Sequence, residues 1–205
     1  MSPMPARCFC YLVSCACALA VLPQSAAAQW YLGLDVAWTS FGDASSDTSG
    51  TSSGVFRPAA TTALGLRLER QWSGFGVAVG IRRMHPAMGE DSDVLLVAAK
   101  DQMRFTEVAP AVTLRIMRFA AGAALHLQAG PVIDIWEPMG LDARSHVGVS
   151  TGLTLVFPLV GRSSGAIRTM LAHSGSPFES ADLPDRFAPH GMWRHSVAIG
   201  LDLRL

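Results

Sequence analysis

Twelve ionisable side chains stand where a fold could gather them: Asp35, Arg67, Glu69, Arg82, Glu107, Arg115, His126, Asp134, Arg168, Arg194, Asp202 and Arg204. Several sit between apolar neighbours, as in Leu34-Asp35-Val36, Leu66-Arg67-Leu68 and Ile133-Asp134-Ile135. The cations are arginines; Lys100 is the only lysine in the chain. Arginine has the planar donor fork that meets a carboxylate with two parallel hydrogen bonds. A charge removed from water must be paired and hydrogen-bonded or it costs several kcal/mol. These residues are therefore expected to pair as a rigid internal network. Their other chemistry, a proton or ion path, would need continuous water.

In Leu171-Ala-His-Ser-Gly-Ser-Pro177 a histidine, a candidate base, has serines, candidate nucleophiles, one and three residues after it. That chemistry needs both side chains on one face. In an extended chain, residues two apart share a face. The residue two beyond His173 is Gly175, whereas Ser174 and Ser176 have the opposite parity. A hydrolytic pair would require a bulge. His85, His146, His190 and His195 are scattered without metal-ligand spacing. Cys8, Cys10, Cys15 and Cys17 all fall in an apolar leader and lack the polar shell of a zinc site. No P-loop, GxGxxG or CxxC motif follows residue 28, so neither a metal nor a cofactor is expected.

The elements that must carry these charges read as strands. Apolar residues recur at every second position, the period of a strand with two unlike faces. Trp30, Leu32, Leu34, Val36 and Trp38 form one such row, and Leu64, Leu66 and Leu68 another. Phe75 to Ile81, Val108 to Ile116, Leu125 to Ile135 and Val147 to Phe157 continue the pattern. A weaker row runs through Ile167, Thr169 and Leu171, and the last from Trp193 to Leu205. That makes eight strands. Val94 to Lys100 reads either as an extension of the fourth strand or as a short loop element.

Alternation does not say which face points inward. A soluble barrel hides its apolar face, and a membrane barrel shows it to lipid. Here the opposite face is Gly, Ala and Ser interspersed with the charged set. Glycine on a solvent face would weaken strands for no gain. Inside a narrow eight-stranded barrel, small residues and paired charges are what fit. The bulky face must then look outward. The odd connections are expected to be long (Gly42 to Pro58, His85 to Gln102, Glu137 to Ala143, Ser174 to His190). The even ones are expected to be short (Arg70 to Ser73, Met117-Arg118, Pro158 to Ser163). Long outer loops alternating with short periplasmic turns are the habit of outer-membrane barrels. Trp30, Phe119 and Phe157 fall near strand ends on one side, and Trp38 and Trp193 on the other, as an interfacial belt would. Gly42 to Gly54 is nearly all Ser, Thr, Gly and Asp, suited to a mobile solvated loop.

The first 28 residues differ from all of this. A start carrying Arg7, an uncharged run from Cys8 to Leu22 and then Ala26-Ala27-Ala28 give the three regions of a secretory signal peptide. Cleavage between Ala28 and Gln29 is expected, leaving a single domain over residues 29–205. Two other readings compete: a lipoprotein box at Leu12-Val13-Ser14-Cys15, and an uncleaved anchor helix that would have to run through Pro23. No later stretch is apolar for the roughly 18 residues a membrane helix needs. Of the 205 residues, half are hydrophobic and only 16% charged, against roughly 25% in an ordinary globular chain. Without Arg7 the balance is fifteen basic against sixteen acidic residues, which argues against nucleic acid as a partner.

Over Gln29 to Leu205 the pattern resembles the eight-stranded outer-membrane barrels of the OmpA/OmpX type. The resemblance implies an all-β, up-and-down antiparallel transmembrane barrel set in outer-membrane lipid. It also implies that the final strand, His195 to Leu205, is read by the barrel assembly machinery. The family usually ends in an aromatic residue, and this chain ends in Leu205. No peptidoglycan-binding domain is expected after the barrel. The function expected is structural or surface-interacting, without catalysis, on four outer loops that meet an unknown extracellular ligand. The alternatives are a lipid A-modifying acyl hydrolase, whose kind shares this barrel size, and a narrow porin.

Overall fold

The computed structural model describes residues 28–47, 55–91, 96–99, 103–138, 142–180, 183, 185 and 187–205. Residues 1–27 of the leader and most of the Ser/Thr/Gly run, residues 48–54, lie outside them. The strands among the described residues, in chain order, are β1 (Gln29–Phe41), β2 (Ser45–Asp47), β3 (Val55–Pro58), β4 (Thr61–Gln71), β5 (Phe75–Met84), β6 (Met88–Asp91), β7 (Leu96–Ala99), β8 (Met103–Arg118), β9 (Ala124–Pro138), β10 (Arg144–Pro158), β11 (Ser163–Ser174), β12 (Phe187–Pro189) and β13 (Met192–Arg204). Eight of them close into an antiparallel barrel in the order β1-β13-β11-β10-β9-β8-β5-β4. The last strand pairs with the first, from Tyr31↔Arg204 to Phe41↔Arg194, so the barrel has no free edge.

The facing follows the alternation. Leu34 is 63% exposed, Leu64 69%, Val147 75% and Ile199 69%, while the intervening Asp35, Ala63 and Ala198 are buried. A belt of leucine, valine and isoleucine this exposed is stable only in lipid, and the protein is a transmembrane β-barrel. Trp30 and Phe119 are exposed at the end of the short turns, Trp38 and Trp193 at the end of the long loops; Phe157 is half-buried.

Three details differ from the sequence reading. Met117-Arg118 is not a turn: a bulge between Arg115 and Met117 lets β8 continue to Arg118, and the chain reverses over residues 119–123. Gly122, at φ 81°, takes the left-handed conformation that turn requires. The third outer connection, residues 139–143, is no longer than this turn, because β9 and β10 absorb the rest of it. Long and short connections therefore alternate only in part, and three of the four outer loops are long. Finally, the outer loops carry structure. β2 pairs with β12, and β3, β6 and β7 form a three-stranded sheet, so Leu96–Ala99 is a loop element and not an extension of β8. The base of the first loop is tied down rather than solvated. Ala44 and Ser45 are wholly buried, and the Ala44 carbonyl accepts from Ser176 Oγ at 2.8 Å and from the His190 amide at 3.0 Å.

Besides the Arg115–Met117 bulge, the β8–β9 ladder has a gap between Val108 and Val112. In the frame set by Val108↔Ile133 and Val112↔Ala129, Pro110 lies opposite Pro131. Neither has an N–H to give.

Candidate functional site

The lumen holds two packed layers above an open cavity. At the long-loop end Phe41, Phe105 and Trp136 form an aromatic plug with ring centroids 4.1 to 6.1 Å apart. Met84, Met103 and Met192 surround it, and Phe178, Leu183 and Phe187 cap it from the last loop. The plug and methionine residues are on the inward parity of their strands, where the sequence alternation had only small and charged residues in view.

Below the plug lies a chain of alternating charge. Arg194 donates to Glu107 Oε2 at 2.7 Å and to both oxygens of Asp134, at 2.7 and 3.0 Å. The other Glu107 oxygen lies 3.5 Å from Arg82, which donates to Asp35 Oδ1 at 3.4 Å. Asp35 Oδ2 lies 3.7 Å from Arg168, and Arg168 Nη2 donates to Asp202 at 2.5 and 2.6 Å. Asp134–Arg194–Glu107–Arg82–Asp35–Arg168–Asp202 is thus one continuous line down the barrel, contributed by six strands. A second, shorter group joins it in space: Arg67 donates to Glu69 and to Gln128 Oε1, each at 3.1 Å, and Thr113 Oγ1 donates to Glu69 at 2.9 Å. Arg194 also lies over the Phe105 ring, 4.8 Å from its centroid, coupling the charge chain to the plug.

Glycine makes the room. A Cβ on Gly65 would run into the Asp35 carboxylate, and one on Gly200 would stand 2.6 Å from Arg168 Nη1. The glycines opposite the charges leave the volume that the guanidinium groups occupy.

Two members of the sequence-derived set stand apart. Arg115 is half-buried at the short-turn end and Arg204 is exposed at the rim. Among the described residues neither side chain is hydrogen-bonded or ion-paired. His126, which faces Arg115 across β8 and β9, has Nδ1 3.2 Å from Gln71 Nε2. Gln128 and Ser174 are network members that reasoning on charge alone missed; their inward parity is the signal that marks them.

The serine–histidine segment is split by the barrel wall. Ser174 points inward and donates to Asp134 Oδ2 at 2.5 Å. Neighbouring β-strand residues face opposite ways, and the His173 ring packs on Trp193 at 4.7 Å between centroids. Ser176 donates to Ala44 and accepts from the Phe178 amide. Among the described residues, no three His, Cys, Asp or Glu side chains are grouped to hold a metal ion.

Beneath the charge chain, at the short-turn end, a cavity of about 330 Å³ opens. Tyr31, Gln71, Arg115, Arg118, His126 and Thr154 line it, with Glu69 and Asp202 on the deeper wall.

No family model matches the chain, and no curated protein matches it in sequence. Its backbone is similar to solved outer-membrane proteins. The outer membrane protein OprG of Pseudomonas aeruginosa superposes with a TM-score of 0.62 at 12% identity, covering 88% of this chain and 97% of that one. Neisserial surface protein A gives 0.56 at 8% identity, over 86% of this chain and 97% of its own. Such identities speak to architecture. The chain has the fold of the eight-stranded outer-membrane barrels.

Proposed function

We propose that this is an integral outer-membrane protein with a structural or surface-interacting role, exported with a leader cleaved between Ala28 and Gln29. The observation that carries this reading is the filled lumen. Above the short-turn cavity its charged groups are spent on one another, and an aromatic plug stands between them and the long-loop end. A barrel built this way is a rigid stand, and its exposed chemistry lies on the outer loops, where an extracellular ligand would bind. β1 begins at Gln29, so the proposed cleavage leaves no spare residue before the barrel. The assembly machinery would read β13, whose pairing with β1 is the closing seam.

The narrow-porin alternative requires water to run the length of the lumen, and the acyl-hydrolase alternative requires His173 and a serine on one face. Two measurements separate all three. The mature chain, refolded and inserted into planar bilayers, should leave the baseline conductance unchanged. Cells expressing it should show an unaltered lipid A mass spectrum. Stable open-channel steps would replace the reading by the porin, and loss of an acyl chain would replace it by the hydrolase.

A further inference from the structure

The charge chain ends before the barrel does. Every lumenal arginine deeper than Arg115 has a carboxylate: Arg67 has Glu69, Arg82 and Arg194 share Glu107, and Arg168 has Asp202. Arg115 and Arg118 line the short-turn cavity, and among the described residues neither guanidinium has a hydrogen bond or ion pair. Two free guanidinium groups on one cavity wall are unexplained by the stability of the barrel.

The surroundings have the same sign. Arg70, Arg162 and Arg204 stand at this end, while its two acids, Glu69 and Asp202, are already matched. Arg70 lies over Trp30 and Trp72, at 5.5 and 5.1 Å, with Nε buried and unpartnered. A concave, low-dielectric mouth whose unmatched charges are of one sign concentrates the opposite ion. Neutral donors are present too. Thr154, only 5% exposed, is on the cavity wall, and its Oγ1 has no partner among the described residues. Gln71 and His126 stand beside Arg115. At about 330 Å³ the cavity lies at the small end of the range of ligand pockets.

We propose that the short-turn cavity is a binding site for a phosphate group, held by Arg115 and Arg118 with Thr154 as a neutral donor. Two unpaired guanidinium groups match the charge a phosphate monoester carries near neutral pH, and arginine meets phosphate with two parallel hydrogen bonds. On the reading given above this mouth faces the periplasm; binding itself does not depend on that orientation. The phosphate belongs either to a small solute or to a lipid headgroup of the adjoining leaflet, since the chemistry recognised is the same.

The test uses the mature barrel refolded in uncharged maltoside micelles, titrated with inorganic phosphate at constant ionic strength. Arginine Nε–Hε signals and the Gly122 and Ser164 amides are followed by NMR. A saturable shift of Arg115 and Arg118 is expected. Arg115→Gln should weaken binding roughly tenfold or more, as loss of a charge-assisted contact does. Arg115→Lys, which keeps the charge without the fork, should weaken it less. Arg204→Gln, at the rim and outside the cavity lining, should change it less than about threefold. Heat-modifiable gel mobility checks that each variant folds; if Arg115→Gln does not, Arg118→Gln reads the same loss. A second arm adds phosphatidylglycerol to the micelles. Competition with inorganic phosphate assigns the site to a headgroup, and its absence assigns it to a solute. Linear, unsaturable shifts, or affinity indifferent to Arg115→Gln and Arg118→Gln, would overturn the proposal. Either result leaves the outer-membrane reading to stand or fall on fractionation and conductance.

Discussion

Replacing Arg194 by methionine removes the guanidinium that holds Glu107 and Asp134 together, in a residue only 1% exposed. Three charge-assisted hydrogen bonds of 2.7 to 3.0 Å disappear with it. Breaking a buried pair by taking one partner away costs about 3–5 kcal/mol, because the remaining charge stays out of water. Here both carboxylates keep a second partner: Glu107 has Arg82 at 3.5 Å, and Asp134 has Ser174 at 2.5 Å. The methionine also fills much of the vacated space against Phe105. The loss should therefore fall at the low end, about 3 kcal/mol, which is more than a hundredfold in the folding equilibrium. The assay is urea unfolding of the barrel in phospholipid vesicles, followed by tryptophan fluorescence. The midpoint should fall while the slope stays constant, since the surface exposed on unfolding is unchanged. Adding Glu107→Gln and Asp134→Asn to Arg194→Met should restore part of the loss by removing the stranded charges. A single-variant loss below 1 kcal/mol, or no restoration in the triple variant, would refute the idea that this arginine neutralises two buried carboxylates.

Other outcomes follow from the same geometry. Leu66→Arg, Val79→Arg and Leu201→Arg, all on the lipid face, should each cost about 2–4 kcal/mol in the same assay if near the membrane midplane. Gly65→Ala should lower stability measurably because its methyl meets the Asp35 carboxylate, whereas Gly80→Ala, with nothing closer than 3.9 Å, should be tolerated. Trp136→Ala empties the centre of the plug and should cost about 3–5 kcal/mol, read as an earlier unfolding midpoint. Intact mass of the exported protein should correspond to a start at Gln29, and a lipid-modified start at Cys15 would contradict the leader reading.

Much of the barrel was legible because a strand in lipid has two faces that differ in chemistry at every residue. The rows Leu32–Leu34–Val36 and Val197–Ile199–Leu201 announced both the strands and their facing. What alternation does not carry is the height of a residue along the barrel. Phe41, Phe105 and Trp136 share the inward parity of Asp35, Glu107 and Asp134, yet they form a plug and not a network, because they lie nearer the long-loop end. For the same reason parity groups Arg115 and Arg204 with the paired arginines although they stand at the open mouth. The Arg115–Met117 bulge breaks the count of two, so alternation points to a turn where the chain has two more strand residues. The loop strands β2, β3, β6 and β7 are three or four residues long, too short for periodicity to register. The pairing of Ser45–Asp47 with Phe187–Pro189 joins segments some 140 residues apart, which no local pattern contains.

The central claim, a lipid-embedded barrel with a packed and charged interior, is tested most directly along β13. All four cysteines lie in the first seventeen residues, so a chain beginning at Gln29 accepts single cysteines without background. Nitroxide labels at Val197, Ala198, Ile199, Leu201 and Asp202, in vesicles, can be relaxed by oxygen, which partitions into lipid, and by a water-soluble nickel complex. Positions 197, 199 and 201 should respond strongly to oxygen and weakly to nickel, while 198 and 202 should be shielded from oxygen. An absent alternation, or nickel access at 197, 199 and 201, would contradict the account.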